Sequence, residues 1–412
     1  MPVNSVASEL REHSAYPLIL VLACIFIINP PAGLFAAFLY VLTSARSHDH
    51  LFRIASWHFV AIGIFLGAVN STKIPENDLV WYYRGYLDAG RYSYSTYIEQ
   101  FGINGQGKEL FFPTFNYILY QIFGPSTKAY ITIVTTIYYG SIGLATSRVA
   151  RTLKIHPAIA MVAMTVFAAA PNIFSLSALL LRQNIAFAIV MVVMTDRFIY
   201  GKNRYILMIL AVLTHASSLF FLLIFFVPGI RQRITAKTLP VFAAITALIL
   251  NYQAISALIV SAIPGDNVLT YALTRASTGT NYELNALSMT QISFNLAMLA
   301  GMFCAIYIFK PSYKNNSGVI AISNVVFITL LFVISNLEYT ELSSRFNFYY
   351  LSLFPIAATI ALSTVPMRIA APVLIVSQPL LLALFVAGLY WSVWSYELKQ
   401  EILYWPVFLY YL

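Results

Sequence analysis

Between residues 318 and 336 the chain reads GVIAISNVVFITLLFVISN, without one charged side chain. Stretches of about 18 or more mostly apolar residues recur along its whole length, and each, wound as a helix, is long enough to cross a bilayer. In hydrocarbon every backbone N–H and C=O must be satisfied within the protein, which leaves helices or closed barrels. The spans lack the alternating apolar and polar residues of barrel strands. The sequence therefore predicts an all-α polytopic integral membrane protein, with residues 1–412 as a single membrane domain. Composition agrees: 60% of the residues are hydrophobic and 9% charged, against about 25% charged in soluble domains.

The net charge of +9 does not point to nucleic acid. Lysine and arginine cluster in short loops between apolar spans, as the positive-inside rule describes for cytoplasmic loops. These loops are Arg46 to Arg53, Arg148 to Lys154, Arg197 to Arg204, Arg231 to Lys237, Lys310 to Lys314, and the turn at Arg368. With all of them inside, 55–70, 156–171, 238–262, 318–336 and 369–393 run outward. Residues 128–147, 178–196, 291–309 and 346–364 run inward. Residues 16–43 read either as one long tilted helix kinked at Pro30-Pro31 or as a short helical hairpin. Residues 205–229 lie between two basic loops and read as two short helices turning near Thr214-His215. The total is about ten to twelve transmembrane or re-entrant helices. The first apolar run continues past Asn29-Pro30-Pro31, which reads as an uncleaved span rather than a signal peptide. Cys24 and Cys304 lie in apolar segments and no Cys/His cluster is present, so no disulfide framework, metal or cofactor is expected.

The same threading leaves 71–127, 263–290 and 337–345 outside. The first holds NDLVWYYRGYLDAGRYSYSTYIEQFG, dense in tyrosine and in charges of both signs. Such density serves as an interfacial aromatic belt, or as a sugar-binding face built on Trp81, Tyr82 and Arg84. The following KELFFPTFNYILYQIFGPS is apolar but short and contains Pro113, so it reads as an interfacial or re-entrant helix.

Residues 177–194 read SALLLRQNIAFAIVMVVM, with Arg182 and Gln183 inside hydrocarbon. An arginine at the centre of a membrane helix costs roughly 2.5 to 3.5 kcal/mol on insertion scales. His215, in LTHASSLFF, and Arg345, in ELSSRFNFYYL, fall at a similar depth near the outer surface, and Asp78 and Glu109 flank the first outer segment. Each has an ordinary reading: Arg182 snorkels, His215 caps a helix, Arg345 anchors an interface, and the two carboxylates are solvated loop charges. Their shared depth favours a joint role. Arginine binds phosphate through a planar fork, and a lipid-linked diphosphate lies at that depth. Arg182, Gln183 and Arg345 are thus candidates to bind a diphosphate leaving group without a metal. His215 is the candidate general base, with Glu109 in reserve and Asp78 as a further catalytic carboxylate.

These pieces, in this order, resemble the EpsG/Wzy group of bacterial polysaccharide polymerases. The resemblance runs from about residue 75 to about residue 350, through Asp78, Trp81 and Tyr82, KELFFPTFNYIL, RQNIA, THASSL and SRFNFYY. The group's RQ-x-x-A element falls on Arg182, Gln183 and Ala186, its H-x-S on His215 and Ser217, and its late R-x-x-x-Y on Arg345 and Tyr349, adding Tyr349 as a sugar-binding candidate. Two features differ: Glu109 is followed by Leu110, with the proline displaced to Pro113, and Asp78-Leu79 replaces the group's Asp-Tyr pair. The resemblance implies a GT-C-like membrane fold in the bacterial inner membrane. It also implies transfer of a growing glycan from undecaprenyl diphosphate to a lipid-linked repeat unit on the periplasmic face. Partners would be the lipid-linked donor and acceptor and membrane lipids; a chain-length regulator is left open, and no nucleic acid is involved. The alternatives are an O-antigen ligase-like glycosyltransferase, whose large outer loop usually comes late, and a transporter or flippase of lipid-linked oligosaccharide. A transporter should show related halves, and no internal repeat is present here.

Overall fold

The computed structural model describes residues 15–102, 109–262, 274, 286–391, 396–397 and 400–411. The polar start of the chain and most of the outer segment expected at 263–290 lie outside the described residues. The protein is an all-α membrane protein, 79% helical. Among the described residues there is no strand, and Lys73 and Tyr396 form an isolated backbone bridge. Among the described residues, four helices are long and apolar enough to cross a membrane: His48–Asn70, Met289–Phe309, Ser317–Ser335 and Met367–Tyr390. Of the other stretches counted toward ten to twelve, 128–147 and 178–196 are single helices, Thr127–Thr152 and Leu181–Ile199, and several more are short or divided. The expected span 238–262 is bent by 71° between Leu239–Leu250 and Tyr252–Ala262. The span 346–364 is split at Leu353, just before Pro355, into Thr340–Ser352 and Phe354–Leu362.

The chain forms two compact units. The first comprises residues 1–82, 126–181 and 365–412. Its opening stretch is the short hairpin rather than the long kinked helix. Ala15–Ile28 ends at Asn29, whose side chain accepts from the Ala32 N–H and starts Pro30–Thr43 with proline at its first turn. The chain folds back so closely that a Cβ on Gly33 would meet the Phe26 Cα at 2.6 Å. His48–Asn70 packs along Thr127–Thr152 just as tightly: a Cβ on Gly67 would meet the Thr132 carbonyl oxygen at 2.7 Å. Small residues let membrane helices approach this way, where dispersion rather than water exclusion drives packing. A cavity of about 340 Å³ lies among these helices, lined by Phe35, His58, Ile62, Phe65, Gln378 and Phe385 with other apolar residues. His58 is 1% exposed. Neither of its ring nitrogens has hydrogen-bond geometry to a partner, although the Leu34 backbone lies near the ring.

The second unit comprises residues 83–125 and 182–364. Helix Leu181–Ile199 is accompanied by the expected pair of short helices, Tyr205–Thr214 and Ser218–Phe225. Both ends of the pair return to one end of the long helix. Arg204 Nε donates to Asp196 Oδ2 at 2.7 Å, and Arg197 Nε donates to the Phe225 carbonyl at 3.1 Å. The turn between the two helices therefore lies toward the opposite end, beside Arg182 and Gln183. Helix Thr340–Ser352 joins through aromatic packing. Tyr349 stacks on Phe187 at 5.1 Å, and Phe346 meets Phe332 at 4.4 Å and Phe220 at 4.9 Å between ring centres. Such pairs contribute about 0.5–1.5 kcal/mol each beyond area burial, so three elements distant in sequence are held in fixed register.

Candidate active site

Glu109 lies two residues before helix Phe111–Phe123. Phe112, Asn116 and Leu119 recur at helical spacing on its buried face, while Ile118 and Ile122 are exposed. Pro113 falls in the first turn, where its missing N–H costs no helical hydrogen bond, so it does not interrupt the helix. The Leu110 N–H donates to the Leu213 carbonyl at 3.2 Å, which fastens the start of this helix to the tip of the short pair. At that tip Thr214 ends one helix, Ser218 begins the next, and the Ser218 hydroxyl donates to the His215 carbonyl at 2.8 Å. His215 is thereby held on a short break between helices.

Glu109 is the hub of a cluster of polar side chains. Its Oε2 accepts from Arg182 Nη1 at 3.0 Å, and its Oε1 lies 2.6 Å from His215 Nδ1. Gln183 Nε2 lies 3.1 Å from the other ring nitrogen of His215. The Glu109 side chain is 8% exposed and that of Arg182 31%. Arg345 is half-buried on helix Thr340–Ser352, and its charge acts on His215. One helical turn further, the Tyr349 hydroxyl lies 2.5 Å from Ser217 Oγ.

Burial pushes the Glu109 carboxyl up, but the facing His215 and Arg182 outweigh it and hold it below its ordinary value. Glu109 is therefore a carboxylate, and a carboxylate only accepts hydrogen bonds. His215 Nδ1 must then carry the hydrogen it donates, leaving Nε2 as the basic nitrogen when the ring is neutral. A histidine whose tautomer and plane are fixed by a carboxylate is an arrangement suited to taking a proton from an incoming hydroxyl. Removing one member of a buried charge pair costs about 3–5 kcal/mol, so the pairing also supports the local fold. Among the described residues no group of three or more His, Cys, Asp or Glu is placed to hold a metal ion.

The structure thus brings together Glu109, Arg182, Gln183, His215 and Arg345, with Tyr349 beside them through Ser217. The remaining candidates lie on helix Asp78–Asp88. Asp78 is exposed, Trp81 is 63% exposed and Tyr82 is half-buried, and all three belong to the first unit. Arg84, in the second unit, pairs with Asp88 at 3.8 Å at the surface. Two features were undervalued in the sequence. Glu109 bonds to both Arg182 and His215, and Ser217 pairs with Tyr349. The signal for the second was present, since both residues occupy motif positions of the resemblance.

The sequence model of the EpsG family matches residues 56–405. This chain belongs to the EpsG family, whose members support a polysaccharide-polymerase type of function. No curated protein and no solved structure matches it.

Proposed function

We propose that the protein polymerises lipid-linked polysaccharide repeats at the periplasmic face of the bacterial inner membrane, transferring a growing glycan from undecaprenyl diphosphate to a single lipid-linked repeat. The observation that carries this reading is Glu109 bridging Arg182 and His215 at 3.0 and 2.6 Å. An acceptor sugar hydroxyl attacks the anomeric carbon of the donor. The bond from that carbon to the diphosphate breaks, and its electron pair leaves on the diphosphate oxygen. The hydroxyl proton passes to His215 Nε2, while Glu109 steadies the imidazolium through Nδ1–H.

Arg182 and Arg345 receive the departing diphosphate, where preorganised cations stabilise developing charge without a divalent ion. Glu109 offsets the cost of Arg182 before any donor arrives. A guanidinium has five N–H donors, of which Nη1 donates to Glu109. Trp81, 63% exposed on helix Asp78–Asp88, offers a face for a sugar ring, whereas Tyr349 is 1% exposed and packed on Phe187, so it supports the site from within the fold instead of stacking on a sugar.

The test is incubation of purified protein with a lipid-linked repeat unit in the presence of a chelator, followed by a ladder gel. A ladder of regularly spaced products is the expected result. Binding of the lipid-linked unit without a ladder would place the protein among transporters instead.

A further inference from the structure

Gln183 follows Arg182 in sequence but meets a different partner. It is 3% exposed, and its Nε2 lies against His215 Nε2. Its Oε1 is buried and, among the described residues, meets no hydrogen-bond donor. Because Nδ1 is committed to the Glu109 carboxylate, the proton state of Nε2 decides what Gln183 must offer. A neutral ring accepts at Nε2, so the amide presents N–H. An imidazolium donates at Nε2, so the amide must present its carbonyl oxygen. The two ends of an amide occupy nearly the same space, and exchanging them needs only rotation about the terminal side-chain bond.

We propose that Gln183 is a positioning residue that follows the proton on His215, turning its amide by half a revolution between the neutral and the protonated base. The proposal rests on the reading of His215 as the base. In the resting site the amide N–H holds the imidazole plane by occupying the Nε2 lone pair, and it must turn aside for an acceptor hydroxyl to reach that nitrogen. Once the hydroxyl proton has moved to Nε2, the amide oxygen receives the new N–H. Three charged groups face this ring: Glu109 from the segment before Phe111–Phe123, Arg182 from Leu181–Ile199, and Arg345 from Thr340–Ser352. The two arginines oppose the imidazolium and Glu109 favours it. A neutral amide serves both proton states without shifting that balance. A carboxylate in its place would hold the proton on the ring and disable the base.

The distinguishing measurement is the His215 titration in ¹⁵N-histidine-labelled full-length protein in nanodiscs, assigned with His215→Gln and read without substrate. Gln183→Glu should raise the midpoint by about one unit or more, and Gln183→Met should move it much less. In the ladder assay the acid limb of the pH–rate profile should shift upward with Gln183→Glu. Turnover near neutral pH should then fall about tenfold and recover at higher pH. Gln183→Met should lower turnover without comparable recovery. A Gln183→Glu protein that titrates as wild type does overturns the proposal. Should the variants not accumulate, the Gln183 side-chain amide signals of wild-type protein labelled with ¹⁵N-glutamine decide: they must change in step with His215 ionisation, and invariance overturns the proposal. A wild-type protein that shows the coupled titration but makes no ladder refutes the polymerase reading while the amide–imidazole coupling stands.

Discussion

His58 is buried and His215 largely buried, one in each unit, and they are held in opposite ways. His58 sits midway along His48–Asn70 against an apolar cavity, with the Leu34 backbone near its ring but, among the described residues, no side-chain partner for either ring nitrogen. His215 sits on a break between two short helices, with a carboxylate at one nitrogen and an amide at the other. A buried polar group that is poorly satisfied costs about 1–3 kcal/mol, and His58 meets no charged or side-chain partner that would fix its tautomer. His215 is oriented at both nitrogens by residues 106 and 32 positions away in sequence. Burial of a titratable residue in a membrane helix is therefore not enough to mark a site. Partners brought from distant segments, which fix a tautomer and balance a charge, mark it better.

The comparison is broken most severely at Glu109. Glu109→Gln removes the charge that both Arg182 and His215 face. Turnover should fall by at least about 10³-fold, and thermal stability should drop in step with the roughly 3–5 kcal/mol cost of stranding a buried charge. Comparable losses of activity and stability in a variant of the His58 cavity, such as Gln378→Leu, would erase the distinction between the two regions.

Arg182→Lys keeps the charge and loses the fork. It should fail almost as badly as Arg182→Ala, with single lipid-linked repeats accumulating and normal protein level in the membrane. Near-normal polymer from the lysine variant would reduce Arg182 to a snorkelling anchor. Smaller still is Tyr349→Phe, which keeps the stack on Phe187 and loses the bond to Ser217. A net hydrogen bond contributes about 0.5–1.5 kcal/mol, so turnover should fall by about tenfold or less while the melting temperature changes by only a few degrees.

How much of the site was legible in the sequence depends on the range of each interaction. Apolar runs fixed the helical class because each is a local property of its own segment. Arg182 and His215 stood out because a polar residue in hydrocarbon is visible without its partner. Glu109 read as a loop charge because its partners lie 73 and 106 residues downstream, beyond any periodicity. The Ser217–Tyr349 pair spans 132 residues and is equally invisible to local pattern. The bend near Asn251 was missed for a different reason: no proline or glycine breaks the run from Val241 to Ala262, and the stretch is apolar enough to pass for a straight span. Asp78, Trp81 and Tyr82 share one short helix, and density of aromatics carries no information about which other segment they face.

The most direct test is a ladder assay of His215→Phe and His58→Phe at matched membrane levels, each with its melting temperature. His215→Phe should make no ladder while still binding the lipid-linked donor. His58→Phe should polymerise within a few-fold of wild type and melt at the same or a higher temperature, because it removes an unsatisfied polar ring from the cavity. A His215→Phe protein that polymerises normally would contradict the account.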